Sequence, residues 1–100
     1  FREAVLVQYP RAGIWTIAFV TGKPSGEVAG HLPGDWVSVY VPTTPNPTTG
    51  FIVLVPREEV VRLDMTVDEA VKMLLTLGVV VPKWKNKPVA ADLAPQQPSP

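Results

Sequence analysis

The sequence predicts an α+β fold: a mostly antiparallel, strongly curved sheet or incomplete β-barrel with one α-helix over about residues 67–77. Three observations carry that expectation. Short runs rich in β-branched and aromatic residues alternate with proline and glycine punctuation, the pattern of antiparallel strands and turns. One later segment has a helix start signal and a helical apolar stripe. Several strands are apolar on both sides, so a flat sheet with one helix would leave a face wet; curvature, a second layer or self-association has to cover it.

Residues 4–9 and 14–21 form the first expected hairpin, split by Pro10, Arg11, Ala12 and Gly13. In its second strand Trp15, Ile17 and Phe19 alternate with Ile14, Ala18 and Val20, which predicts cover on both faces. Residues 22–35 read as loop, with a possible edge strand at 27–32. Trp36, Ser38 and Tyr40 then alternate with Val37, Val39 and Val41, a strand with an aromatic face and a valine face, stopped by Pro42. A stiff connection over residues 42–49 leads to the two-sided strand 51–55, which Pro56 ends. Residues 60–63 are one more short strand.

Thr66 and Glu69 make a Thr-x-x-Glu capping box, and Asp64 and Asp68 set negative charge near the positive end of the helix dipole. Val67, Ala70, Val71, Leu74 and Leu75 form one stripe, which Met73 and Leu77 widen to an arc of roughly 200°. That is more than one sheet face needs, which makes Met73 and Leu77 a candidate self-association edge. Gly78 suits the left-handed residue after the helix. Val79, Val80 and Val81 read as a short buried strand, giving a domain over residues 1–82. Residues 83–100 are basic at first and then rich in proline, alanine and glutamine, the composition of a disordered tail.

Composition excludes several classes. Nine basic residues balance nine acidic ones among 100, so this is no strongly basic nucleic-acid binder, and no nucleic-acid partner is expected. There is no cysteine, which removes disulfides, thiolate metal sites and cysteine nucleophiles. No apolar run is long enough to cross a membrane as a helix, and no signal-peptide pattern occurs. The chain begins at Phe1 without methionine and reads as a piece of a longer protein.

The lone histidine, His31, has no second ligand at metal-binding spacing, so no metal site is expected. Ser25 or Ser38 with His31 and Asp35 is a triad only on paper, because Gly22-Lys23-Pro24-Ser25-Gly26 is not a nucleophile elbow. Phosphate-loop and dinucleotide fingerprints are missing. No catalytic residue and no cofactor is therefore expected. Two segments attract interest instead. Thr43, Thr44, Pro45, Asn46, Pro47 and Thr48 lie on a stiff loop that would lose little entropy on binding, a candidate interaction loop. Lys83, Trp84, Lys85 and Lys87 combine an aromatic with cations, a candidate contact with an anionic membrane surface.

The stretch Val39-Tyr40-Val41-Pro42-Thr43-Thr44-Pro45-Asn46-Pro47-Thr48-Thr49-Gly50-Phe51 resembles domain-of-unknown-function family 502, whose plant members are the Continuous Vascular Ring-like membrane proteins. So do Val55-Pro56-Arg57, residues 63–70, Gly78-Val79-Val80-Val81-Pro82 and, upstream, Tyr9-Pro10-Arg11-Ala12-Gly13. Thr49-Gly50 stands where the family usually has Ser-Gly, a swap that keeps the hydroxyl. The resemblance covers about residues 4–82. It implies an integral membrane protein with N-terminal transmembrane helices ahead of a soluble domain, in plants tied to the Golgi and to vascular patterning, and it brings no catalytic residues. The expected function is that of a non-enzymatic soluble domain, anchored by membrane segments outside this chain, that binds a protein partner, scaffolds or self-associates. The alternative is a small-ligand-binding or transport accessory domain, with a hydrolase behind it.

Overall fold

The computed structural model describes residues 1–84. In chain order the elements are β1 (Ala4–Gln8), β2 (Trp15–Gly22), α1 (Gly26–His31), β3 (Trp36–Pro42), β4 (Gly50–Pro56), a 3₁₀ turn (Arg57–Glu59), β5 (Val61–Arg62) and α2 (Val67–Leu75). The five strands make one antiparallel sheet in the order β4-β3-β2-β1-β5. It is an α+β fold whose sheet does not close.

The sheet curls because its two edges are neighbours in sequence. β4 and β5 lie at opposite edges, four strand spacings apart, which is about 19 Å in a flat sheet. Only residues 57–60 join them, and three of these are wound into the 3₁₀ turn at roughly 2 Å per residue. Such a link cannot span a flat sheet. Curling buries the concave face on itself: Val5, Val7, Ala18, Val20, Val37, Val39, Val41 and Val55 form one cluster, each no more than 9% exposed. The convex face is covered over β1 and β2 by α2, where Ala4, Phe19 and Ala70 meet and Ile17, Val67, Val71 and Leu74 close around them. β2 is thus covered on both faces at Ala18, Phe19 and Val20, as the two-sided pattern requires.

The helix start follows the expected box. The Glu69 amide donates to the Thr66 hydroxyl at 3.1 Å, and the Thr66 amide donates to the Glu69 carboxylate at 2.9 Å. Its end corrects the expected span of 67–77, because α2 stops at Leu75. The Leu77 and Gly78 amides fold back onto the Leu74 and Met73 carbonyls at 3.1 and 2.8 Å, a Schellman closure. Leu77, not Gly78, takes the first left-handed position, with φ 55°.

Two further expectations are corrected. Residues 79–81 form no strand and Val79 is 83% exposed, because the first two amides turn back to the helix end: Val79 donates to the Thr76 carbonyl and Val80 to the Thr76 hydroxyl. Residues 27–32 fall mostly within α1 instead of an edge strand. None of the α1 residues is buried, so no sheet face selects an extended backbone there.

Candidate functional site

The loop between β3 and β4 is built by its own polar groups. The Thr43 hydroxyl donates to the Asn46 carbonyl at 2.8 Å, and the Thr43 amide to the Thr49 carbonyl at 2.9 Å. Asn46 Oδ1 accepts from both the amide and the hydroxyl of Thr48, and the Thr49 hydroxyl reaches the Asn46 carbonyl at 3.2 Å. From the strand below, the Tyr40 hydroxyl donates to the Pro47 carbonyl at 2.9 Å. Asn46 is thus the centre of the loop. Three of its threonines are spent on internal bonds, whereas Thr44 is exposed and has no hydrogen bond among the described residues; it presents itself outward beside exposed Pro45.

Next to the loop, β4 exposes an apolar side chain on each face of the sheet. Phe51 and Ile52 are 55% and 63% exposed, an unusual state for consecutive strand residues. This corrects the expectation that strand 51–55 is covered on both faces: α2 sits over β1 and β2, and Ile52 lies beyond it, paired with Tyr40 on β3. Gly50 allows the hairpin to close this tightly. A Cβ there would overlap the Val41 carbonyl oxygen and press on Tyr40 and Pro42.

Trp84 folds back on the domain, its indole N–H donating to the Asp64 carboxylate at 2.7 Å. Lys83 beside it is exposed, and Lys85 and Lys87 lie outside the described residues. The segment walls a groove of about 630 Å³ lined by Leu6, Val61, Leu63, Met65, Val81 and Trp84. Met73 is half-buried on α2, while Leu77 lies past the helix end and is 67% exposed.

His31, Asp35 and Ser38 of the paper triad each have another partner, and none bonds to another triad residue. His31 lies 3.4 Å from Glu27 on α1, Arg57 binds Asp35 at 2.8 Å, and Thr21 donates to the Ser38 hydroxyl at 3.0 Å. No cluster of three or more metal-ligating side chains occurs among the described residues. Sequence reading did not single out the open end of the curled sheet. There Arg2, Lys23, Arg57 and Arg62, with Glu3, rim a hollow of about 430 Å³. Its cations come from four separate segments, and no local pattern announces such a rim.

The family model described as Protein of unknown function (DUF502) matches residues 1–49. Protein LIKE COV 2 of Arabidopsis thaliana is 28% identical over 83 residues, which is 83% of this chain. Both likenesses support the DUF502 family for this chain. It spans 31% of the length of that relative. No solved structure matches the chain. The family likeness points to a membrane-associated protein and assigns no molecular function. No helix among the described residues is long and apolar enough to cross a membrane.

Proposed function

We propose that this chain is a non-enzymatic docking domain of a membrane-associated DUF502 protein, with the tip of the β3–β4 hairpin as its contact surface. One observation carries the reading: the loop is held by its own threonines and Asn46 while Thr44 and Pro45 face outward. A surface already fixed in shape gives up little conformational entropy on binding. In this reading the membrane-spanning segments lie outside these 100 residues, and Lys83, Lys85 and Lys87 supply charge for an anionic membrane surface.

Affinity capture from membranes tests it. Thr44→Lys places a charge at the tip without removing a loop bond, and Asn46→Ala loosens the loop. Both are expected to lose partners that the parent chain captures, and unchanged capture by both refutes the hairpin reading. The apolar groove beside Trp84 favours a second reading, a small-ligand site, since its volume lies within the usual range for such pockets.

A further inference from the structure

β4 is the long, unguarded edge of the sheet. The opposite edge, β5, has two residues and carries Arg62, which holds Glu3 at 2.8 Å. Folded proteins blunt exposed edges with charge, proline, bulges or shortness. Between Gly50 and Pro56, β4 has only Phe51, Ile52, Val53, Leu54 and Val55, and its ladder to β3 runs without a register shift. The parity of that ladder is set at both ends. Thr43 donates to the Thr49 carbonyl and Arg57 to the Asp35 carbonyl, so odd-numbered residues of β4 bond to β3. Ile52 and Leu54 therefore turn their N–H and C=O groups outward, and no described residue outside the sheet ladders hydrogen-bonds to them. A strand is the one partner that satisfies such a row of alternating donors and acceptors.

We infer that β4 pairs antiparallel with β4 of a second copy of this chain, about a two-fold axis at Ile52. An isologous contact demands self-complementarity, and this strand has it. It has no charged residue, so pairing it with itself sets no like charges opposite one another, and the whole chain has zero formal net charge. With the axis at Ile52, Leu54 faces Gly50 of the second copy and Phe51 faces Val53 of the second copy. The outward donors of Ile52 and Leu54 are used, and Pro56, which has no N–H, falls outside the core of the pairing. Side-chain exposure on β4 is greatest near Gly50, with Phe51 at 55% and Ile52 at 63%, and Val55 near the other end is 7% exposed. The inference rests on the outer edge of β4 and not on the loop tip, so the docking reading and this one fail separately.

Sedimentation and cysteine trapping of the 100-residue chain test the pairing. A seven-residue edge buries less than a stable interface needs, so the expected result is a weak dimer that grows with concentration up to about 1 mM. Ile52→Lys sets two ammonium groups opposite each other on the axis and is expected to abolish the dimer while leaving the circular dichroism spectrum unchanged. The chain has no native cysteine, so Ile52→Cys reports without interference. Hydrogen-bonded antiparallel pairs set Cα atoms about 5.5 Å apart, inside the disulfide range. Under mild oxidation Ile52→Cys should cross-link at least tenfold faster than Leu77→Cys, whose parent residue is equally exposed at 67%. A monomer at every concentration, a dimer that survives Ile52→Lys, or faster cross-linking through Leu77→Cys would each overturn the inference.

Discussion

Tyr9 and Phe51 meet ring to ring, with centroids 6.0 Å apart, although β1, which Tyr9 follows, and β4 are separated by two other strands. In a flat sheet three strand spacings and a four-residue offset along the strands would set the same residues about 20 Å apart. Their contact closes one end of the concave face, and the short link from β4 to β5 closes the other. A valine cluster of modest side chains is buried in between without a covering layer.

Coupling between these rings should be measurable. Tyr9→Ala, Phe51→Ala and the double variant, unfolded in urea, are expected to give a coupling of about 0.5–1.5 kcal/mol. Strict additivity would mean that the curl does not depend on this contact.

Gly50 should tolerate no side chain. Gly50→Ala pushes a methyl group into the Val41 carbonyl and the Pro42 backbone, and is expected to cost about 2–4 kcal/mol. Gly30→Ala, in open space within α1, is expected to be neutral or to stabilise by up to about 1 kcal/mol. Denaturant midpoints of the two variants make the comparison.

Leu77→Gly is expected to stabilise the domain by about 1 kcal/mol, because a β-carbon is disfavoured in the left-handed region. Its side chain is mostly in water, so little packing is lost. A lower thermal midpoint would show that the leucine makes contacts outweighing that relief.

Thr66→Ala removes the acceptor for the Glu69 amide and should cost about 1 kcal/mol. Thr66→Ser, which keeps the hydroxyl, should restore most of it. Equal losses in both variants would assign the effect to the methyl group.

Because Asp64 holds the Trp84 indole, vesicle binding through residues 83–87 should run through the lysines. Lys83→Gln, Lys85→Gln and Lys87→Gln together are expected to weaken cosedimentation with anionic vesicles, whereas Trp84→Phe leaves it near the parent value. Loss on Trp84→Phe alone would place the indole in the lipid.

Local patterns were legible residue by residue. Valine alternation at 37, 39 and 41, prolines at 42 and 56, and the pairing of Thr66 with Glu69 placed β3, β4 and the start of α2, since each depends on neighbours within a few positions. The Tyr-Pro-Arg and Pro-Thr-Thr-Pro-Asn-Pro stretches were also enough to suggest the DUF502 family.

Other features were not legible in the local pattern. The helix ends at Leu75 because Leu77 and Gly78 fold back on it, and the Val79 and Val80 amides then turn to Thr76, bonds only three to five residues long that the Gly78 signal did not place. The cationic rim joins Arg2, Lys23, Arg57 and Arg62 only because the sheet curls. The loop shows the division most clearly. Its threonines and Asn46 were visible from the start, but which of them hold the loop and which face outward was decided by closure of the hairpin over Gly50. The amino-acid sequence by itself determined where β3 and β4 start and stop and how α2 begins, because those are short-range matters of backbone freedom and hydrogen-bond supply. The two-sided strands already called for a curved sheet; tertiary structure decided how the curl closes, the uncovered Phe51 and Ile52, and the open edge of β4, because a four-residue link ties the two opposite edges together.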